Sequence, residues 1–326
     1  MIRHGERLRL LLLQNAPIVL FVVVVLVFGS MSDRFLAVRN FLNIATQASH
    51  IAILGIGMTF VLLTAGIDLS VGAVMYLAVA VMGIYFATLP PMLALPLCLA
   101  IGLVFGAVNA FFIVRLRVAP FIATLGMLFI GRGLALYLTD TKMVFFGQAV
   151  LKLGRTAYLG VPWAIWVFAA VLLLAWITLT QTPFGRQVYA VGENPEAAQK
   201  AGIDVPRVLV AVYVLCGGLA GVAGFVSATQ VGAASPTFGL EKEFAAVAAA
   251  VLGGTSLFGG RGGVLGTVFG AILIQTVTSG LVIVNANPYV YPLVTAGIIF
   301  LAVLVDSQRA RILASINRRT IRVEEA

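Results

Sequence analysis

The stretch Gln181–Arg207, QTPFGRQVYAVGENPEAAQKAGIDVPR, is a polar island between two strongly apolar runs, Trp163–Leu179 and Val208–Val231. Inside it, Asn194 to Gly202 reads as a short helix with both ends punctuated. Asn194 suits the N-cap, and Pro195 suits the first helical position, where no N–H is needed. Glu196 falls at the positive end of the helix dipole and Lys200 at the negative end, with Gly202 placed to close the helix in the left-handed conformation. Residues 195–201, Ala197 and Ala198 among them, make about two turns, short of the ~12–15 residues an isolated helix needs in water. Such a helix must dock on something, most simply a partner at the cytoplasmic face.

The rest of the chain sets that island in a membrane. Of 326 residues, 61% are hydrophobic and 10% charged, and the mean hydropathy is +1.08. Soluble domains carry ~25% charged residues, so the composition is that of an integral membrane protein. The net charge of +9 follows from the cations that gather in cytoplasmic loops and needs no nucleic acid partner. Cys98 and Cys216 stand alone in apolar runs, and His4 and His50 are the only histidines. No metal-ligand spacing is present. The first apolar run lacks a convincing cleavage site and reads as a retained span.

Hydropathy gives about ten candidate spans of near the ~20 residues a crossing helix needs: 10–29, 43–65, 70–89, 92–114, 120–139, 162–180, 208–231, 243–258, 263–284 and 289–306. The expected fold is therefore an all-α polytopic membrane protein, one transmembrane domain over 1–326 with a cytoplasmic loop at 181–207 and a basic tail at 307–326. With both termini cytoplasmic, the inner side holds Arg3, Arg7, Arg9, Arg115, Arg117, Arg186, Lys200, Arg207, Arg261, Arg309, Arg311, Arg318, Arg319 and Arg322, fourteen in all. The outer side holds six: Arg34, Arg39, Lys142, Lys152, Arg155 and Lys242. That asymmetry sets the orientation. Spans 2–5 and 7–10 then enter the membrane from opposite sides, the arithmetic of an inverted repeat. Each group carries a break after its first span, Gly66–Gly72 and Gly232–Gly239.

Enzyme motifs are missing. There is no G-x-x-x-x-G-K-[ST], no H-E-x-x-H and no G-x-S-x-G, and Gly259-Gly260-Arg261-Gly262-Gly263 lacks the lysine and strand of a phosphate loop. Small residues at i, i+4, i+8 (Gly262, Gly266 and Gly270) and the pairs Gly102/Gly106 and Gly217/Gly221 predict close helix crossings, or thin helices beside a moving pathway. Asp68 lies at the first break. It or Ser70 is expected to cap the restarted helix, the alternative being an ionisable group on the path. Arg132 falls near mid-depth of span 5, with Asp68 a conceivable partner. Gln47, His50, Asn109, Thr124, Gln275 and Thr278 are further polar residues in apolar spans. Singly they suit interhelical hydrogen bonds. Together they suit a path for a neutral, hydroxyl-rich solute, for which Asp68, Asn109, Thr124 and Gln275 are the candidates, with Arg132, Gly262 and Gly266 in structural or gating roles.

Several segments resemble the permease subunit of bacterial ABC importers for monosaccharides, in the branch serving ribose, xylose, arabinose and galactose. They are Gly57-Met58-Thr59 with Thr64–Gly72, Pro120–Gly126, Phe184–Ala198, and Leu252–Gly262. The resemblance runs from about residue 40 to 306. It implies a multi-pass protein of the bacterial inner membrane, itself non-catalytic, pairing with a second permease copy. ATP and Mg would be bound by cytoplasmic ATPase subunits, and a periplasmic solute-binding protein would deliver the sugar. It also implies that Glu193–Gly202, with Gly185 upstream, lies in the loop that couples the ATPase to the membrane helices. Outside that reading stand a permease for a branched-chain amino acid or nucleoside, and an ion-coupled secondary carrier needing no ATPase.

Overall fold

The computed structural model describes residues 16–297, 300 and 304. The basic tail 307–326, the first arginines and the end of the tenth candidate span lie outside the described residues. The helices are α1 (Ala16–Met31), α2 (Val38–Leu63), α3 (Val71–Tyr85), α4 (Pro91–Ala110), α5 (Pro120–Thr139), α6 (Gln148–Arg155), α7 (Trp163–Gln181), α8 (Pro183–Glu193), α9 (Pro195–Lys200), α10 (Val205–Val231), α11 (Lys242–Leu252) and α12 (Val264–Ile283). Residues 291–297 are also helical. Prolines start many of them at the first or second position, as at Pro91, Pro120, Pro183, Pro195 and Pro206, where a missing N–H costs nothing.

The described residues do not confirm the expectation of about ten full spans. Among the described residues six helices are long and apolar enough to cross a membrane: α2, α4 with its π-helical extension to Arg115, α5, α7, α10 and α12. The eighth candidate, 243–258, fails because its helix stops at Leu252 after 11 residues, about 16 Å against the ~30 Å of a bilayer core. The third candidate is helical over only 15 residues. Both short helices follow a break, so each group opens on a long helix (26 residues in α2, 27 in α10), breaks, and restarts as a short one.

By contacts the chain forms two units, Leu42–Ile272 and the pair of segments Met1–Phe41 with Leu273–Ala326. In the latter, Val24 packs with Leu273, Val277 and Leu281, and Ser279 donates to Asn40 Oδ1 at 2.9 Å. In the larger unit, α3 is the innermost helix. Residues 71–80 are all buried, as expected of a helix apolar on every face. Helices α4, α5 and α10 surround it, while α7 shows large apolar side chains such as Trp166, Leu173 and Leu174 to the outside, as a lipid-facing helix does.

The α4–α10 contact is an antiparallel crossing at backbone distance. A Cβ on Gly102 would run into the Gly217 carbonyl, one on Gly106 into the Tyr213 carbonyl, and one on Gly221 into the Cys98 carbonyl. The glycine pairs read from the sequence thus meet each other. Gly266 does the same against Gly253, and a Cβ on Gly262 would lie 2.6 Å from Thr255 Oγ1.

The unit has two ends. At one lie the close of α2, Arg115–Arg117, α8–α9 and the loop 256–262. At the other lie residues 140–162 and the strand pair Val144–Phe145 (β1) with Ala233–Ala234 (β4), beside the hairpin of Ala157–Tyr158 (β2) and Val161–Pro162 (β3). The two breaks meet inside. A Cβ on Gly72 would clash with the Gly239 carbonyl and Glu243, and the Tyr76 and Phe238 rings lie 6.3 Å apart. Irregular backbone at membrane depth is tolerated when protein covers it.

Candidate functional site

The polar island folds as the sequence predicts. Thr182 caps α8 by accepting from Gly185 N–H at 3.3 Å. Gly185 is buried under the last carbonyls of α7, with no room for a side chain beside Leu179 O, so the chain turns sharply from α7 into α8. Helix α8 ends at Glu193, and Asn194 serves both neighbours. Its N–H donates to Ala190 O, closing α8, and its Oδ1 accepts from Ala197 N–H at 3.0 Å, opening α9. Gly202, at φ +86°, ends α9 in a Schellman arrangement: Ile203 N–H donates to Ala198 O and Gly202 N–H to Gln199 O, both at 3.0 Å. Asp204 then caps α10 through Arg207 N–H at 3.1 Å.

Only Ala198 anchors α9 inward, at 4% exposure. Glu193, Asn194, Pro195, Glu196, Ala197 and Lys200 are all exposed. The helix is therefore fixed at both ends and bare along its outer face.

The sequence reading missed what lies beneath. Gly192 packs so closely on the C-terminal end of α2 that a Cβ would overlap Leu63 O. That same carbonyl accepts from Gly260 N–H at 3.0 Å. Tyr189 donates to Gly262 O at 2.8 Å, with its phenol pushed above the usual range by burial, so it stays a donor. The Phe60 and Phe184 rings stack at 6.5 Å. Helix α8 is thus keyed to the end of α2 and to the glycine-rich loop, immediately before the first break.

That break holds a closed polar cluster. Helix α2 ends at Leu63 and the chain turns through Ala65 at φ +59°. Asp68 Oδ1 accepts from Ser70 N–H at 2.9 Å and from Ser70 Oγ at 2.6 Å. Asn109 Nδ2 donates to Ser70 Oγ at 2.8 Å and approaches both Asp68 oxygens at 3.3–3.4 Å. Thr124 donates to Ile67 O at 3.3 Å and Pro120 O at 2.9 Å, tying α5 to the break. Asp68, Asn109 and Thr124 are each 0% exposed. Ser70 is the residue before α3 and makes no side-chain cap of its own. Asp68 holds the turn that precedes the helix. Gln275, also buried, belongs to the other unit.

Arg132 does not meet Asp68, the partner the sequence suggested. Its Nη1 donates to Phe238 O at 2.8 Å and Pro236 O at 3.2 Å, and its guanidinium sits 5.3 Å from the centre of the Tyr76 ring. The second break offers carbonyls that no helix satisfies, and the arginine takes them. Arg132 therefore fastens α5 to that break. Tyr213 on α10 lies against the turn itself, where a Cβ on Gly66 would run into its hydroxyl, and a tyrosine within an otherwise apolar run was the legible signal for that neighbour.

Comparison with known proteins identifies the family of the sequence. The family model for the branched-chain amino acid transport system / permease component matches residues 40–304. The chain is 38% identical over 309 residues to the ribose import permease protein of Escherichia coli K12, covering 91% of this chain and 95% of that protein. It is 40% identical over 296 residues to the ribose import permease protein of Bacillus subtilis, covering 89% and 91%. It is 33% identical over 306 residues to the fructose import permease protein of Rhizobium meliloti, covering 89% and 84%. No solved structure matches the chain significantly.

Proposed function

This chain belongs to the branched-chain amino acid transport system / permease component family, and from that premise we infer that it is the transmembrane subunit of an ATP-driven monosaccharide importer. The sugar class rests on the relatives, which are named for ribose, fructose, D-allose and galactose. The family description names branched-chain amino acids, but relatives similar over nine-tenths of the chain outweigh it. ATP and Mg are bound by cytoplasmic ATPase subunits, a periplasmic binding protein delivers the solute, and a second permease copy completes the pathway in the bacterial inner membrane.

The observation that carries this reading is the bare, doubly capped helix α9, joined directly to α8, which is seated on the end of α2. Orientation is supported by charge. In the larger unit Arg115, Arg117, Arg186, Lys200, Arg207 and Arg261 belong to the α9 side, against Lys142, Lys152, Arg155 and Lys242 on the other, which favours α9 and both termini on the cytoplasmic side. Closure of the ATPase displaces α9. Because α8 and the 256–262 loop both bear on Leu63 O, the displacement reaches the first break, where α2 gives way to α3. Packed interiors shift between discrete arrangements. Opening the cluster around Asp68 and Asn109 would then uncover polar groups suited to sugar hydroxyls.

Glu196→Lys tests the docking. Glu196 is exposed and makes no bond within the chain that the fold depends on, so the variant inserts normally. Reversal of charge on the docking face is expected to lower both recovery of the ATPase subunit with the permease and sugar uptake by at least about tenfold. Unchanged uptake would instead favour a carrier that works without the ATPase.

A further inference from the structure

We propose that the loop 256–261 is a second docking element for the same ATPase subunit, with Phe258 as its anchor; this rests on the reading of α9 as the coupling helix. At six residues α9 is about 9 Å long and a helix is ~10–12 Å across, so it presents a face of roughly 100 Å² against the ~800 Å² that each side of a stable complex contributes. Further surface must come from its neighbours. Phe258 is 91% exposed beside the half-exposed Leu257, and the loop carrying it is closed by its own hydrogen bonds. Ser256 N–H donates to Arg261 O at 2.9 Å, Gly259 N–H to Ser256 O at 3.4 Å and Phe258 N–H to Ser256 Oγ at 3.1 Å. An exposed aromatic ring on a preorganised loop is the form of a binding anchor.

Position names the partner. Gly260 N–H is bonded to Leu63 O and Gly262 O accepts from Tyr189, so the loop shares a face with α8 and α9. The last turns of α2, residues 48–64, are buried without interruption. The loop capping them therefore stands over the interior of the bundle, away from lipid. The face it joins carries the exposed Glu193, Glu196, Lys200 and Arg261, with Glu193 directly against Gly260 of the loop, so an apolar anchor stands on a polar face. The partner surface it fits is an apolar pocket bordered by charges of both signs.

The test uses the full chain co-expressed with its cognate ATPase subunit. Phe258→Ser is expected to reduce recovery of the ATPase subunit at least about tenfold, as Glu196→Lys does, with yield and monodispersity of the permease unchanged. A photo-crosslinking amino acid at position 258 is expected to capture the ATPase subunit. If Glu196→Lys loses the subunit while Phe258→Ser keeps it, the loop is no docking element and the coupling reading stands. If neither loses it, the coupling reading fails as well. Crosslinks to lipid or to a second permease copy alone would also overturn the proposal, as would a fall in permease yield with binding per molecule unchanged.

Discussion

Gly217→Leu leaves no folded permease to purify. At this crossing, backbone faces backbone. A Cβ on Gly217 would strike Gly102 O and come within 2.8 Å of Gly106 N and Cα, none of which can rotate aside. Helices α4 and α10 would have to separate along their length, at a cost beyond the usual ~1–3 kcal/mol of overpacking. No hydrophobic driving force holds helices together in lipid, so lost van der Waals contact is not recovered by burial elsewhere. The control lies on α5, where Gly126 and Gly133 have nothing within 4 Å of an added Cβ. Size-exclusion profiles in detergent should show Gly217→Leu aggregated and Gly126→Leu unchanged.

Asp68 carries the second large effect. Asp68→Ala leaves Ser70 N–H, the Ser70 hydroxyl and Asn109 Nδ2 short of an acceptor in a site closed to water. Each buried unpaired donor costs ~1–3 kcal/mol, and with several at once the turn into α3 should not form. Asp68→Asn keeps an oxygen for Ser70 and sets a second amide against Asn109, a smaller loss. Thermal stability in detergent is expected to fall a little for Asn and drastically for Ala, with uptake retained in the Asn variant. A stable Asn variant that does not transport would place the charge itself in the transport cycle.

Local chemistry was the legible part of this protein. Asn194-Pro195 and Gly202 announce α9 because caps are written in neighbouring residues, and the structure places every one of those groups where the sequence put it. The glycine pairs likewise announced a crossing, though not that they cross each other. What hydropathy cannot supply is depth. Residues 243–258 stay apolar past the point where the backbone turns at Gly253–Gly254, so a half-helix reads as a span. Partners distant in sequence were equally hidden. Electrostatics alone sends Arg132 to Asp68, whereas the second break, 104–106 residues away in sequence, holds open carbonyls nearer to hand. Nothing in the residues themselves announces that Gly192 and Gly260 converge on one carbonyl of α2.

Lys200→Cys gives the most direct test of whether α9 takes its stroke from another chain. The native thiols, Cys98 and Cys216, are both buried, so the introduced one is the reactive site. In an importer that still transports, a short bifunctional thiol reagent should join residue 200 to the ATPase subunit, and the yield should change when nucleotide closes the ATPase. Labelling of residue 200 from outside intact cells, with no adduct to the ATPase subunit, would contradict the account.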